Sequence, residues 1–502
     1  MSKILFTILT AVVLPLTIFA QLRGTCATDQ EALIPRLEEN KIAAEHLVDT
    51  RMDNFVPITW HRIGRTDGTG KVTYLRILEQ MCRLNDDYSD VGLVFYIKRI
   101  NDINSSSIYE NHRVAVNGVL RNEQDNGSIN IFVPNNANIN EDDLGVTLGY
   151  YDPSPDWLVM RRVEVDGITS TLSHEIGHFF SLPHPHRGWD IAPFDDSGNE
   201  NAPTFSPGGQ LTELVDGSNC DNAGDRICDT PPDYNLGFGW PNCDYTGNAK
   251  DPNGEELDPQ EINFMGYFLN CSRDDYIFTP MQTDMMKADY QRADRAYIRT
   301  NFSPSTADVG KATNISPTPD ETTASFDEIR FEWEGAENAE MYLLEVDRLP
   351  TFALNPVRVL FENGETSYTL REELQADKKY YWRVTSFSRG DYCTQRGNSS
   401  SFVTGVVSDV AQIETVADFS VYPNPARNGQ EIVIDVETTE RFAADILLTD
   451  LNGRTLQRIS NRMITLGSNQ IRVATDQLPA GVYNVTVASE GGIKNQRVVI
   501  LD

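Results

Sequence analysis

Four of the seven histidines in this 502-residue chain lie between positions 174 and 186. On a helix, residues four positions apart lie on one face, so the imidazoles of His174 and His178 would point to one place. Glu175 lies one residue further round and would reach a water molecule rather than the metal. His184 lies six residues after His178, just past the helix end that Pro183 forces. The segment reads His174-Glu175-Ile176-Gly177-His178-Phe179-Phe180-Ser181-Leu182-Pro183-His184.

Three histidine ligands would leave one position of a tetrahedral Zn²⁺ ion open. An open position is typical of a catalytic zinc site, whereas structural sites are closed by four protein ligands. The pattern therefore predicts a catalytic Zn²⁺ site formed by His174, His178 and His184, with Glu175 beside it. His186 follows in the same loop, and we expect it to lie near the cleft without binding the metal.

The length and charge of the chain limit its class. A chain of 502 residues is too long for one compact core, so three or four domains are expected. The formal net charge of -32 is spread along the sequence rather than gathered in one tail. Because nucleic-acid binding needs clustered Lys and Arg, we predict no nucleic-acid partner.

Residues 1–20 have the pattern of a signal peptide. Lys3 supplies the positive start, and the apolar run 4–20 ends in a small residue. This run is short for a membrane span and no later segment is long and apolar enough, so no transmembrane segment is predicted. We expect export from the cytoplasm. Residues 21–52 are then a candidate pro-segment with a helix near 30–47.

Residues 53–302 mix helices and strands, as expected for an α+β domain. Amphipathic helices are predicted around 75–84 and over 171–180, and a final helix over 280–299. The region between the last two helices is rich in Gly, Pro, Asn and Asp, which is typical of long functional loops. Strands are predicted over 93–98, 113–119, 128–134 and 146–150.

The sequence beyond residue 302 is all-β in character. Residues 303–312 are a predicted linker, because this part of the chain is rich in Ser, Thr, Pro and Asp. Aromatic strands follow, as expected for a small β-sandwich. They include Phe331-Glu332-Trp333 and Tyr380-Tyr381-Trp382-Arg383-Val384. On this pattern, residues 313–405 resemble a fibronectin type III module.

Residues 412–502 again alternate in short strands, with three ordered motifs. They are Phe419-Ser420-Val421-Tyr422-Pro423-Asn424-Pro425, Leu451-Asn452-Gly453-Arg454 and Leu478-Pro479-Ala480-Gly481-Val482-Tyr483. This set resembles the C-terminal sorting domain of the type IX secretion system. The resemblance implies a bacterium of the Bacteroidota, secretion machinery as a partner, export through the periplasm and outer membrane, and a secreted or cell-surface protein. The alternative is another adhesive sandwich.

Further motifs accompany the histidine segment. They are Asn263-Phe264-Met265-Gly266-Tyr267, Gly224-Asp225-Arg226-Ile227-Cys228-Asp229-Thr230-Pro231, and Cys271 followed by Phe278-Thr279-Pro280-Met281-Gln282. With the zinc motif, they resemble a metzincin of the pappalysin or cytophagalysin group over about residues 55–300. The predicted fold class is therefore multidomain, with a metzincin-like α+β catalytic domain over 53–302 followed by two all-β sandwich domains.

The resemblance implies roles for individual residues. Glu175 would be the general base, and Tyr267 would stabilise the oxyanion, with simple packing as the alternative role of that tyrosine. Met265 would form an apolar floor beneath the zinc. Ser181 stands where the family has a glycine in the left-handed conformation, which Ser adopts at a cost of about 1 kcal/mol.

The resemblance also implies a Ca²⁺ site in an acidic loop. Its ligands would be the carboxylate of Asp225, the main-chain carbonyl of Cys228 and the side-chain oxygen of Thr230. Oxygen ligands of this kind suit calcium. The alternative is a loop held by disulfides without an ion.

Seven cysteines in an exported chain predict disulfides and leave at least one thiol unpaired. Cys26 lies in the candidate pro-segment and could occupy the open zinc position until the segment is cut, with Arg51 as a candidate processing point. The alternatives are a disulfide with Cys82 or an inert thiol. Two disulfides are expected among four further cysteines, and three pairings are open: Cys220, Cys228, Cys243 and Cys271.

These features predict a secreted zinc metalloendopeptidase that cuts extracellular proteins with a zinc-activated water and Glu175 as general base. Its partners would be protein or peptide substrates that pair with the strand near 146–150. The stretch Phe268-Leu269-Asn270 has no acid, which favours an apolar-accepting pocket over one for Arg or Lys. The alternatives are a non-catalytic surface adhesin with a structural zinc site and a metal hydrolase acting on a non-peptide bond.

Overall fold

The structure is a computed structural model that describes residues 24–47, 54–139, 146–371, 374–406, 413, 415–450, 455–476, 478–489 and 492–501. The predicted signal peptide at 1–20, the candidate processing point Arg51 and the motif at 451–454 lie outside the described residues. The described sheets fall into three groups along the chain, so the protein is multidomain. We call these groups the N-terminal unit (24–298), the middle sandwich (313–403) and the C-terminal sandwich (416–501).

In its described residues, the N-terminal unit contains one six-stranded sheet and six α-helices. The strands are β1 (Gly24–Cys26), β2 (Asn54–Gly64), β3 (Leu93–Asn104), β4 (Ile129–Val133), β5 (Val146–Asp152) and β6 (Trp157–Met160). The helices are α1 (Gln30–Ala44), α2 (Tyr74–Asp87), α3 (Ser106–Glu110), α4 (Arg121–Glu123), α5 (Thr171–Phe179) and α6 (Pro280–Gln291). The strand order is β1-β5-β6-β4-β2-β3, in which β5 runs antiparallel to β6 and β1 runs parallel to β5.

Local sequence explains where the main helices begin and which face they bury. The Thr73 side chain accepts the N–H of Arg76 and caps α2, whose buried residues Ile77, Met81 and Leu84 recur at helical spacing. Thr279 caps α6 in a capping box, with Pro280 at the first helical position. The amphipathic helix predicted around 75–84 is thus confirmed by α2. The predicted helix over 280–299 instead divides into α6 and a 3₁₀ segment at Ala293–Ile298.

One predicted strand is wrong. Residues 113–119 form a 3₁₀ turn at His112–Ala115 and a π-type turn at Val116–Leu120. Two of the apolar side chains that suggested a strand face solvent, since Val114 is 66% exposed and Val119 is 42% exposed. The other three predicted strands are confirmed by β3, β4 and β5.

The middle sandwich packs two antiparallel sheets face to face. Its strands are β7 (Thr313–Ser316), β8 (Glu321–Thr322), β9 (Ile329–Glu334), β10 (Met341–Asp347), β11 (Val357–Phe361), β12 (Ser367–Leu370), β13 (Lys379–Phe387) and β14 (Ser400–Val403). The sheet orders are β11-β10-β13-β14-β8, with β8 alone pairing in parallel, and β12-β9-β7. Phe331 of one sheet packs on Trp382 of the other with ring centroids 5.1 Å apart, so aromatic side chains fill the core as expected.

The C-terminal sandwich has its own core. Its strands are β15 (Val416–Tyr422), β16 (Ala426–Arg427), β17 (Ile432–Thr438), β18 (Phe442–Thr449), β19 (Thr455–Ile464), β20 (Gly467–Val473), β21 (Gly481–Ser489) and β22 (Gly492–Leu501). They form sheets in the orders β15-β17-β20 and β16-β22-β21-β18-β19.

Among the described residues, no helix of the protein has the length and apolar character that crossing a bilayer requires.

The N-terminal unit and the middle sandwich are joined by a disulfide and by shared packing. Cys82 on α2 is bonded to Cys393 in the loop after β13. The buried hydroxyl of Tyr392 accepts the backbone N–H of Ile97 at 2.8 Å. The core of the N-terminal unit also contains side chains of the sandwich, namely Met341, Leu343, Phe387 and Tyr392. The middle sandwich is therefore packed against the sheet and α2 rather than merely linked to them.

The disulfides decide between the pairings that the sequence left open. Cys220 is bonded to Cys228, and Cys243 to Cys271. Because Cys82 is bonded to a distant cysteine of the sandwich, the alternative of a Cys26–Cys82 disulfide is wrong. Cys26 is the free cysteine of the described residues.

Candidate active site

Helix α5 and the turn after it bring three imidazoles together. His174 and His178 lie one turn apart on the helix. Ser181 then adopts a φ of 72°, the left-handed conformation expected at its place in the motif. As a result, Nε2 of His184 lies 3.1 Å from Nε2 of both other histidines. The Nε2 atoms of His174 and His178 are 3.0 Å apart.

The opposite ring nitrogens fix the orientation of these rings. Nδ1 of His174 donates to the carbonyl oxygen of Phe264 at 2.8 Å, and Nδ1 of His178 donates to that of Leu182 at 2.6 Å. Because a carbonyl oxygen only accepts, both Nδ1 atoms carry the proton and both Nε2 atoms present a lone pair. Nδ1 of the third imidazole faces a carboxylate oxygen of Asp190 at 2.5 Å.

The three histidines fit a zinc ion. Lone pairs that converge this closely repel one another unless a cation lies between them. Tetrahedral zinc with nitrogen ligands would hold the Nε2 atoms about 3.3 Å apart, close to the 3.0–3.1 Å observed. Burial lowers the pKa of each imidazole, which favours the neutral form that binds metal.

Glu175 is buried beside the imidazoles. Its Oε2 accepts hydrogen bonds from the hydroxyl of Thr28 at 3.3 Å and from the thiol of Cys26 at 3.4 Å. Its Oε1 has no hydrogen-bond partner among the described residues. Burial raises the pKa of Glu175 to about 8, and a nearby cation would lower it again. A buried carboxylate with one free oxygen and a raised pKa is suited to proton transfer.

The segment from Asn263 to Tyr267 packs against α5. A Cβ at position 177 would lie 2.4 Å from the sulfur of Met265, so Gly177 is what allows this close approach. The backbone N–H of Met265 donates to the side chain of Asn263 at 2.9 Å, which in turn donates to Gln282 on α6 at 3.1 Å. The structure thus brings the predicted apolar floor, Met265, against the helix that carries two of the imidazoles.

Tyr267 lies against the imidazole trio. Its ring centroid is 5.0 Å from that of His184 and 6.0 Å from that of His174. Its hydroxyl accepts the backbone N–H of Cys26 at 2.9 Å. Burial raises the pKa of Tyr267, so the hydroxyl keeps its proton and remains a potential donor.

Strand β1 brings Cys26 to the imidazoles. The strand runs parallel to β5, and Cys26 is in register with Gly149. The sulfur of Cys26 and one nitrogen of each of the three histidines all lie within 4.8 Å of one another. Burial and the charge of Glu175 raise the pKa of the Cys26 thiol. A bound cation would favour the thiolate instead.

His186 lies near the cleft, as predicted, but apart from the converging Nε2 atoms. Its ring stacks on that of His184, with centroids 4.5 Å apart, and lies 4.4 Å from the ring of Tyr267. Neither nitrogen of His186 has a hydrogen-bond partner among the described residues. The ring thus packs behind His184 and Tyr267.

The predicted calcium residues lie in one turn. The hydroxyl of Thr230 donates to the carboxylate of Asp225 at 2.9 Å. Cys228 lies between these two residues in the sequence and is bonded to Cys220. Glu213, which sequence reasoning missed, is 4% exposed and lies against the backbone of Gly224. Burial and mutual repulsion raise the pKa of Glu213, and burial raises that of Asp225. Two adjacent buried carboxylates with oxygen neighbours fit a Ca²⁺ ion.

Thr28 and Asp190 were also missed by sequence reasoning. Thr28 donates to Glu175 and accepts the backbone N–H of Tyr151 at 2.9 Å, so it ties β1 to β5 beside the site. No sequence pattern identifies Thr28 or Glu213. Asp190 follows His184 closely and is an acid in a loop after a ligand, which is a signal that could have found it.

Comparison with known proteins agrees with parts of this picture. A family model described as a secretion system C-terminal sorting domain matches residues 420–501. The chain is 25% identical over 289 residues to an extracellular metalloprotease of Colletotrichum graminicola, covering 52% of this chain and 87% of that protein. It is a distant relative of that protein.

Solved structures with fibronectin-type modules are also similar. The chicken CNTN1 FN1-FN3 domains match with 17% identity and a TM-score of 0.16, covering 38% of this chain and 69% of theirs. The fibronectin(III)-like modules of Clostridium thermocellum CbhA match with 11% identity and a TM-score of 0.16, covering 38% of this chain and 93% of that chain.

The sorting domain marks proteins exported by type IX secretion, so the protein is secreted or bound to the cell surface.

Proposed function

We propose that the protein is a zinc-dependent endopeptidase that acts on extracellular proteins. The observation that carries the proposal is the convergence of Nε2 of His174, His178 and His184 at 3.0–3.1 Å beside the buried carboxylate of Glu175. Three imidazoles with a neighbouring proton acceptor are the donor set of a hydrolytic zinc site. The similarity to an extracellular metalloprotease supports the same activity.

In this proposal each residue has one task in adding water across a peptide bond. Bound zinc would supply Lewis acidity toward the attacking water and the peptide carbonyl. Glu175 would accept a proton from that water at its unpartnered Oε1 and return it to the leaving amine. Tyr267 would donate a hydrogen bond to the developing oxyanion once Cys26 no longer occupies its hydroxyl.

The proposal includes a latent state set by Cys26. Its sulfur lies within 4.8 Å of the histidine ligand nitrogens, so a thiolate could fill the fourth position of the metal. Strand β1 also covers the free edge of β5, where an extended substrate would add. The same short strand would therefore block both metal and substrate edge.

Helix α1 holds that strand in place. Leu33, Ile34 and Leu37 are buried in the core of the N-terminal unit. Gln30 accepts the backbone N–H of His184 at 2.8 Å. Ion pairs join the helix to other elements: Glu31–Arg187, Arg36–Asp294, Glu38–Arg226, Glu39–Arg292 and Lys41–Asp221. Full opening of the site would thus require both a cut after Arg51 and dissociation of α1.

The cleft beside Glu175 favours apolar substrate side chains. Leu148, Phe264 and Leu269 line it, together with Thr171. Among the described residues that line this cleft, Glu175 is the one acid. A long basic side chain would have no other carboxylate to pair with, whereas an apolar one would gain burial.

We further propose that Glu213 and Asp225 hold a structural calcium ion with oxygens of Thr230 and Cys228. Asp225 is fully buried and already bonded to Thr230, so the loop is formed around these oxygens. Calcium would replace the protons that two adjacent buried carboxylates otherwise need.

The adhesin alternative is favoured by one observation, because Cys26 could close a four-ligand structural site. Replacing Glu175 with Ala tests the peptidase proposal in protein freed of residues 21–51. The variant should keep its metal and lose hydrolysis of an unfolded protein by more than about a hundredfold. Glu110→Ala, at an exposed glutamate outside the site, should match the wild type. Undiminished hydrolysis in Glu175→Ala would refute the assigned role.

A further inference from the structure

The three imidazoles differ in what accepts their Nδ1 protons. Two donate to backbone carbonyls, of Phe264 and Leu182, at 2.8 and 2.6 Å. The third, His184, faces Oδ1 of Asp190 at 2.5 Å. A carboxylate is a charged acceptor, and hydrogen bonds to charged acceptors are shorter and stronger than neutral ones. His184 is thus the one ligand of the trio with an anion behind it.

The chain holds the Asp190 carboxylate in this position. Its Oδ2 accepts the backbone N–H of Gly188 at 3.0 Å. The preceding residue, Trp189, is 4% exposed and stacks on Tyr234 with ring centroids 5.0 Å apart. The backbone carbonyl of Trp189 accepts the side chain of Asn235 at 3.0 Å. Both carboxylate oxygens and the adjoining backbone are therefore fixed before any ion binds.

Asp190 lies in a cluster with His184 and His186, and of these two histidines only His184 is hydrogen-bonded to it. His186 is its second neighbour, but Nε2 of His186 is 3.6 Å from Oδ1, beyond hydrogen-bond distance, and has no partner. Among the described residues, the ion-pair contacts of Asp190 are with these two histidines and with no Lys or Arg. The side chain of Asp190 is 29% exposed, so it does not serve as core packing.

We propose that Asp190 is a positioning residue that fixes the tautomer and ring plane of His184 and strengthens this imidazole as a metal ligand. The inference rests on the proposed zinc site. A carboxylate behind a ligating imidazole raises the basicity of the metal-facing nitrogen and adds a negative charge near the ion. The other two ligands lack such a charge, so the effect of Asp190 falls on one of the three ligands, His184.

The test measures zinc binding rather than activity alone. In the full-length protein, Asp190→Asn keeps a hydrogen-bond acceptor but removes the charge. Asp190→Ala removes both. Asp195→Asn is the matched control. Asp195 is an exposed residue on the following loop, and its carboxylate accepts the backbone N–H of Ser197. Zinc affinity and the zinc dissociation rate are measured by competition with a chelator, and metal-free protein is melted alongside.

Asp190→Asn should bind zinc about 10–100-fold more weakly than the wild type, with a matching rise in dissociation rate. Asp190→Ala should lose at least as much, and Asp195→Asn should lose nothing. The metal-free melting temperature should not change in Asp190→Asn. In the cobalt-substituted protein the visible absorption should shift with Asp190→Asn and not with the control, which a purely structural role would not produce.

Wild-type zinc affinity and an unshifted cobalt spectrum in Asp190→Asn would overturn the inference while leaving the zinc site intact. If the wild type bound no zinc, the proposed function would fail as well, and this inference with it. The two failures are therefore distinguished by the wild-type measurement.

Discussion

The thiol of Cys26 lies 3.4 Å from Oε2 of Glu175. The same residue donates its backbone N–H to the hydroxyl of Tyr267 at 2.9 Å. One residue of strand β1 therefore touches both side chains to which we assign catalytic roles, and its sulfur lies near the imidazole trio. While Cys26 makes these contacts, the chain itself occupies both groups.

Replacing Cys26 with Ala should release activity from the uncut chain. Without the thiolate, the fourth metal position is no longer filled by the protein, so hydrolysis by full-length protein should rise at least about tenfold, equivalent to about 1.4 kcal/mol. Thr25→Ser, on the same strand, is the control and should stay latent. Rates are compared on a fluorogenic peptide before and after removal of residues 21–51.

Two results of that experiment would count against latency through Cys26. If Cys26→Ala stayed as inactive as the wild type until it was cut, the strand alone would cause latency. If Cys26→Ala or the cut protein lost its zinc, Cys26 would be a structural ligand, and the adhesin alternative would gain support.

Stability should depend on pH and calcium through Glu213 and Asp225. Burial raises the pKa of both carboxyl groups above their unfolded values. Without calcium these two groups then hold more protons in the folded protein than in the unfolded chain, so their contribution to stability should fall as pH rises from about 5 to about 8. Calcium should remove that fall, because it takes the place of the protons. Thermal melts with calcium or with a chelator measure this.

Glu213→Gln provides the matched variant. It removes one of the repelling charges, so its melting temperature without calcium should vary less with pH than that of the wild type, and calcium should stabilise it less. A wild type whose melting temperature responds identically to pH with and without calcium would argue for a disulfide-held loop without an ion.

The Cys82–Cys393 disulfide should couple the folding of two units. It closes a sequence separation of 311 residues. Replacing both cysteines with Ser should lower the free energy of unfolding by about 2–4 kcal/mol. Tyr392→Phe should cost less, about 1 kcal/mol, because it retains the buried ring and leaves one backbone N–H unpaired. Urea denaturation measures each change. Unchanged unfolding of the N-terminal unit in the double serine variant would mean that the two units are energetically independent.

The parts of the site that depend on local spacing could be predicted from sequence. The separation of His174 and His178 matches a helical turn, and Pro183 ends the helix. The left-handed turn at Ser181 also follows from the motif. The turn tolerates Ser at this position because the hydroxyl of Ser181 donates to the buried carboxylate of Asp289.

Parts that depend on distant contacts could not be predicted. Glu213 meets Asp225 only because the long loop folds back on itself. Cys393 reaches Cys82 only through docking of a whole sandwich. The false strand at 113–119 has the opposite cause, because an alternating pattern reports a strand only when one face is buried, and Val114 is exposed.

The most direct measurement is the metal content and coordination of the purified protein after residues 21–51 have been removed. Elemental analysis and zinc X-ray absorption should find one zinc per chain bound by three imidazole nitrogens. A chelator should abolish peptide hydrolysis, and added zinc should restore it. A protein without stoichiometric zinc, or with fewer than three imidazoles on the ion, would contradict the assignment of His174, His178 and His184 as a catalytic metal site.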